Sequence, residues 1–373
     1  MSLHVAEGEQ RAPTARGRVS HLEASALHAL LSSGADAPPP LLLEACAVAA
    51  APWPPELVPT AHRFPLSAID VSLMDAKSGQ PERVSGNFSL QPAAVLRKAL
   101  EASGVQCVRH TVVYTQSTKN GNPDLAVAAR LVWALSLAGV EHVSLFSGGL
   151  QAWVDAGHPV ATHFQPPPAS PVDFFEGAPP GLPFPLRPEF NASTAEVEAA
   201  VATGGALLAD VRSWCEYSGG QHDYPYHLPL GRIPTARWAH WGPSTYVGGD
   251  FFERSTGVLH QVAQTERLWR DWGIDLSRSE RVIFYCGSGW RSAVAWCLAR
   301  LLGHDGCGSY DGGFLEWAVL DERAERHPID RGERNSSSSS SAMGGAAGSA
   351  VGSAGASGAM HHSDMILSAL HEP

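Results

Sequence analysis

Two stretches of this chain repeat each other, and that repetition constrains the fold more than any other feature. Gly139, then Ser147-Gly148-Gly149 and Trp153, recur as Gly303, Asp311-Gly312-Gly313 and Trp317 at a constant offset of 164 residues. Val113-Tyr114-Thr115 recurs as Phe284-Tyr285-Cys286 at an offset of 171, and Val58-Pro59-Thr60-Ala61 as Ile233-Pro234-Thr235-Ala236 at 175. Matches that keep their order while the offset drifts by a few residues mark an internal duplication with small changes of loop length. Whatever architecture one copy adopts, the other is expected to share.

Each copy alternates strand and helix signals. In the second, Ser193-Thr194-Ala195-Glu196 reads as a capping box that opens a helix. Ala206 to Val211 and Arg281 to Cys286 read as strands, Val262 to Trp272 and Ser292 to Leu302 as helices, and Gly308 to Tyr310 as a last strand before a closing helix through Trp317. The first copy follows suit, with Ser20-His21-Leu22-Glu23 as its opening capping box. Strands alternating with helices predict an α/β fold in which a parallel sheet carries helices on both faces. The expected organisation is a flexible N-terminus (1–18), a first block (19–162), a proline-rich linker (163–189), a second block (190–330) and a disordered tail (331–373). Nine prolines between His163 and Phe190 underlie the linker, and the Ser/Gly/Ala run from Asn335 to Met360 underlies the tail.

Composition narrows the function. The 373 residues carry 26 basic and 37 acidic side chains, a net charge of −11, which argues against a phosphate-backbone binder and so against nucleic acid as a partner. The longest nearly apolar run, Leu41 to Ala51, is too short for a membrane span and contains Glu44. Six cysteines without a C-x-x-C pair make neither a disulfide framework nor a zinc site. These features, with no signal-like apolar segment near Met1, lead to the expectation of a cytoplasmic protein.

The chemistry concentrates in Tyr285-Cys286-Gly287-Ser288-Gly289-Trp290-Arg291-Ser292. A cysteine closes a buried strand, two glycines allow a tight curl of backbone, and a helix begins at once with an arginine in its first turn. Converging amides, a helix N-terminus and a guanidinium all favour a thiolate over a thiol, and the same groups suit an anionic substrate. In parallel sheets ligands sit beyond the carboxyl ends of the strands, which is where Cys286 falls.

This loop resembles the active-site loop of the rhodaneses, the sulfurtransferases. Leu208-Ala209-Asp210-Val211-Arg212 resembles their D-x-R strand, Glu216-Tyr217 with Gly219 their E-(Y/F)-x-x-G turn, Gly231 to Ala236 their G-H-I-P-G-A segment, and Asp311-Gly312-Gly313 with Trp317 their closing motif. Covering both blocks, the resemblance is to a tandem rhodanese, within it to members with a CG(S/T)GWR loop and a Y-x-Y segment, here Tyr224-Pro225-Tyr226. Four residues separate Cys286 from Arg291, whereas tyrosine phosphatases place five there; the shorter ring suits a persulfide. The first block has Thr115 in the cysteine's place and is expected to serve as a scaffold.

The resemblance implies a thiosulfate sulfurtransferase. Cys286 is the nucleophile; Gly287, Ser288, Gly289, Trp290 and Arg291 bind the donor and stabilise the persulfide; Asp210 and Arg212 support the loop. No metal or organic cofactor is implied. The partners are a small anionic sulfur donor and a cyanide, thiol or protein acceptor. The alternatives are a protein persulfide carrier or interaction module and a mercaptopyruvate sulfurtransferase, the latter disfavoured because Glu216 stands where that branch has a carboxylate-binding arginine. Lys119, Arg232 and His240 are further candidates for lining the cleft, and Cys215, Cys297 and Cys307 for resolving an oxidised Cys286.

Overall fold

The central strands of each half are apolar runs buried on both faces, and the segments between parallel strands are long enough for helical crossovers. The computed structural model describes residues 17–33, 38–47, 56–70, 89–116, 125–163, 165–220, 229–239, 262–319 and 327–332. The first unit contains β1 (Arg18–Leu22), α1 (Ala24–Ser32), β2 (Leu41–Cys46), β3 (His62–Pro65), α2 (Ala93–Ala102), β4 (Thr111–Thr115), α3 (Leu125–Ala138), β5 (His142–Phe146) and α4 (Gly149–Asp155). The second contains β6 (Asn191–Ala192), α5 (Thr194–Thr203), β7 (Leu207–Asp210), α6 (Trp214–Ser218), β8 (Arg237–Trp238), α7 (Val262–Asp271), β9 (Val282–Tyr285), α8 (Trp290–Leu301), β10 (Cys307–Tyr310) and α9 (Gly313–Val319).

The two sheets have one topology. Strand order is β1-β5-β4-β2-β3 in the first and β6-β10-β9-β7-β8 in the second, with every pairing parallel. The duplication extends to single hydrogen bonds. The Val58 amide donates to the Tyr114 hydroxyl at 3.2 Å, and the Ile233 amide to the Tyr285 hydroxyl at 3.2 Å. The Trp153 indole donates to the Pro159 carbonyl and the Trp317 indole to the Pro328 carbonyl.

Alternation along the strands sends side chains to two layers. In the first unit Leu41, Leu43 and Val113 pack with α2 and α3, while Leu42, Val112 and Tyr114 pack with α1 and α4. In the second, Val282 and Phe284 pack with α7 and α8, while Ile283 and Tyr285 pack with α5 and α9. The layers containing α3 and α8 merge into one core, because these two helices pack on each other between the sheets. Both are buried nearly all round, as a helix with a sheet on one side and a partner helix on the other must be.

Two local expectations give way. Ser20 does not cap a helix: it lies in β1, where its hydroxyl bonds Ser144 and His142 of β5, and α1 starts at Ala24 after Glu23 without a side-chain cap. Strand pairing outbids the local cap signal. The proline-rich stretch is not an open spacer. The Val172 amide bonds Glu101, Phe174 is fully buried and accepts from the Cys107 amide, and the Leu186 and Arg187 amides bond the end of α3. The second capping signal holds in part, since Ser193 accepts from the Glu196 amide while the Glu196 carboxylate turns to Arg281.

Thr60 and Thr235, equivalent across the duplication, both adopt left-handed backbone, at φ 70° and 66°. That explains the glycine in the G-H-I-P-G-A pattern at the position Thr235 occupies. A left-handed β-branched residue costs about 1–2 kcal/mol, and glycine gives back about 0.5–1 kcal/mol through the entropy of the unfolded chain. Thr235→Gly should therefore stabilise the protein by about 1 kcal/mol in urea unfolding; unchanged or lowered stability would show that the threonine side chain compensates its backbone.

Candidate active site

Strand β9 delivers Cys286 to the carboxyl edge of the second sheet. Cys286 is 2% exposed. Residues 287–289 turn tightly, with Gly289 left-handed at φ 85°, and α8 begins at Trp290. The loop is seated from below by the first turn of α9. The Phe314 amide donates to the Cys286 carbonyl at 2.8 Å and the Leu315 amide to the Gly287 carbonyl at 2.9 Å. In a trans peptide the N–H points opposite to the C=O. Fixing these two carbonyls on α9 therefore turns the Gly287 and Ser288 amides away from it. Among the described residues, nothing accepts a hydrogen bond from the amides of Gly287, Ser288 or Gly289.

Arg291 is placed by α8 but held by α6. Its guanidinium makes a two-pronged ion pair with Glu216, Nη1 to Oε2 at 2.9 Å and Nη2 to Oε1 at 3.0 Å. Glu216 also closes a capping box, accepting from the Ser213 amide and hydroxyl at 2.9 and 2.7 Å. Burial alone would raise the Glu216 carboxyl. Arg291, with Arg212 and Ser213, outweighs burial and holds it well below the usual carboxylate range. The expectation that Glu216 repels a carboxylate donor loses its basis, because its charge is buried and balanced.

Asp210 and Arg212 form a second buried pair, with Nη2 to Oδ2 at 2.7 Å and the Arg212 amide on Asp210 Oδ1. Arg212 also donates to the Gly231 carbonyl and lies 4.1 Å from the centroid of the Phe314 ring. The pair thus braces β7 against the α9 turn that seats the loop. Glu44 and Arg63 hold the corresponding place in the first unit, 2.7 Å apart, and Thr115 ends β4 as Cys286 follows β9.

The remaining candidates separate. Arg232 pairs with Asp330 and donates to the Tyr217 carbonyl, so it is committed elsewhere. Cys215 is exposed. Cys297 and Cys307 are buried, and burial pushes both thiols up, Cys307 to about 12, which suits inert core thiols. Lys119, His240, Tyr224 and Tyr226 lie outside the described residues. Sequence reasoning missed Asp70 and Arg130. Arg130 is fully buried and bonds Asp70 of its own unit and Asp311 of the other. The signal was present, since Arg130 is the one charged residue in the apolar segment 125–138.

Residues 193–319 match the family model described as the rhodanese-like domain. The second unit is a rhodanese-like domain. The chain is 33% identical over 216 residues to the thiosulfate sulfurtransferase YnjE of Escherichia coli, covering 58% of this chain and 46% of that protein. It is 28% identical over 246 residues to the sulfur carrier protein TtuD of Thermus thermophilus, covering 63% of this chain and 76% of that one. The YnjE crystal structure superposes with a TM-score of 0.70 at 26% identity, covering 84% of this chain and 69% of that chain. A variant of EanB in complex with ergothioneine superposes at 0.69 and 26% identity, covering 86% and 71%. The chain thus spans about half the length of the YnjE sequence it matches. Both of its sheets are rhodanese-like, and among the described residues no helix is long and apolar enough to cross a membrane.

Breaking a buried ion pair by removing one charge costs about 3–5 kcal/mol. Glu216→Gln should destabilise the rhodanese domain by about that amount at pH 7. The stabilisation is present above the unfolded carboxyl value of about 4.3 and is lost as pH falls toward the depressed native value. Urea unfolding from pH 7 down to pH 3 should therefore show the wild type losing stability and converging on the variant. A constant gap between them would contradict the assignment.

Proposed function

We propose that this protein is a sulfurtransferase that carries sulfane sulfur as a persulfide on Cys286, with thiosulfate as donor and cyanide or a thiol as acceptor. The observation that carries the reading is the loop geometry: a cysteine at the sheet's carboxyl edge whose following carbonyls are held by α9, leaving the Gly287, Ser288 and Gly289 amides for an anion.

The Cys286 thiolate attacks the outer sulfur of thiosulfate, the S–S bond breaks, and sulfite leaves with its electron pair. The acceptor then attacks the outer sulfur of the persulfide, and the Cys286 thiolate is regenerated. Gly287, Ser288 and Gly289 stabilise the charged sulfur in both steps. Trp290 and Arg291 open α8, whose N-terminus adds positive potential. Arg291 supports this by fixing α8 to α6 through Glu216. Asp210 and Arg212 act through the α9 turn.

Two observations favour neighbouring readings. The relative from Thermus is named a sulfur carrier, which suits a persulfide handed from protein to protein. The balanced charge of Glu216 leaves no electrostatic case against mercaptopyruvate as donor.

Thiocyanate formation from thiosulfate and cyanide, measured beside Cys286→Ser, tests the reading. The wild type should turn over and gain one sulfur atom on the Cys286 peptide by mass spectrometry, and the variant should lose activity at least ~100-fold, the scale expected for removing a covalent nucleophile. A persulfide that forms but does not transfer to cyanide would favour the carrier. Absence of the persulfide with both thiosulfate and mercaptopyruvate would overturn sulfur transfer at this site.

A further inference from the structure

The first unit has no cysteine at the position of Cys286, yet it reaches the cysteine loop with a charged side chain. Arg130 projects from the middle of α3 with none of its surface exposed. Its Nη2 and Nε bond Asp70 at 2.9 and 3.2 Å, and its Nη1 bonds Asp311 Oδ1 at 2.5 Å. Asp311 opens the Asp-Gly-Gly turn that starts α9, and its other oxygen accepts from the Leu90 amide of the first unit at 2.6 Å.

The backbone of Gly289 lies on this junction. A Cβ there would sit 2.7 Å from Asp311 Oδ1 and 3.1 Å from Arg130 Nη1. Gly313 closes on the other side, where a Cβ would sit 2.6 Å from the Gly287 carbonyl oxygen and 2.8 Å from that of Cys286. Contact therefore runs unbroken from Arg130 through Asp311 and the Gly312-Gly313 turn to the amides of Phe314 and Leu315, and from these to the carbonyls of Cys286 and Gly287.

We propose that Arg130 is a positioning residue for the Cys286 loop, supplied by the cysteine-less unit and acting through Asp311. The proposal rests on Cys286 being the reactive thiol. It gives the first unit a defined part: the loop's amides converge only while Arg130 holds the turn beneath them.

One guanidinium faces two carboxylates, and nothing else charged among the described residues contacts Asp70: Arg130 comes from α3, Asp311 from the end of β10, and the Trp290 indole from α8. Burial pushes the Asp70 carboxyl up to about 7 against the pull of Arg130, and the charge of Asp311 adds to the rise.

The test is iodoacetamide alkylation of the full chain, followed on the Cys286 peptide by mass spectrometry from pH 5 to 10, for wild type, Asp311→Asn, Arg130→Lys and Glu44→Gln. Alkylation uses no sulfur donor, so it reads the loop whether or not the protein turns over thiosulfate. Asp311→Asn keeps the side-chain shape and gives a folded readout even where Arg130→Lys does not. Glu44→Gln breaks a buried ion pair in the first unit away from the loop. The expected result is a midpoint of Cys286 alkylation raised by about one pH unit in Asp311→Asn and Arg130→Lys, hence roughly tenfold slower reaction below it, with no shift in Glu44→Gln. Wild-type midpoints in the folded Asp311→Asn and Arg130→Lys proteins, or an equal shift in Glu44→Gln, would overturn the proposal.

Discussion

The packing of α3 against α8 makes two copies of one fold into a single structural object. Each helix covers its own sheet and is covered by the other, so residues of both units contribute to one apolar core. Helices placed this way have no face for charged side chains, and Arg130 sits in α3 all the same. A buried guanidinium is tolerable only with full compensation. Asp70 provides part of it from within the unit and Asp311 the rest from across the interface. Among the described residues the ion pair that crosses between the units, Arg130 with Asp311, lies where they meet the cysteine loop, which gives the two units a fixed register there.

The same scaffold supports different edges in its two copies. Both keep the tyrosine that receives an amide at the start of the Ile/Val-Pro-Thr-Ala turn, and both keep a buried acid–arginine pair beside the central strand. In the first unit Arg63 reaches Glu44 from the neighbouring strand. In the second, Arg212 reaches Asp210 from two residues along the same chain, which leaves its guanidinium stacked on Phe314 at the base of the loop. A small change in where the arginine originates converts a strand brace into a loop brace.

Much of this was legible in the chain itself. The ordered repeats carried the shared topology, because motif order constrains strand order when crossovers are right-handed. The strand-glycine-helix pattern placed Cys286 and α8 closely. The ion pairs were not legible in the same way. Glu216 was visible in a motif, but its pairing with Arg291, 75 residues along the chain, depends on bringing α6 beside α8. Asp70, Arg130 and Asp311 come from three distant segments, and only the packed interface joins them. Ser20 failed for the opposite reason: its local pattern fits a helix cap, and pairing with β5 decides otherwise.

The loop's chemistry follows from where its carbonyls go. A short loop with two carbonyls facing inward would repel an anionic sulfur; this one has both anchored on α9, in the direction away from its amides. The arginine of the motif adds its charge from a position already neutralised by Glu216, so its electrostatic reach toward a bound donor is small, and its main effect is to fix where α8 begins. In the proposed reaction the amides would then carry most of the stabilisation of a persulfide. An arrangement that relies on oriented backbone dipoles demands rigidity, because a dipole that rotates away contributes nothing. Three buried ionic contacts around one loop, Arg291–Glu216, Arg212–Asp210 and Arg130–Asp311, are what such a demand requires.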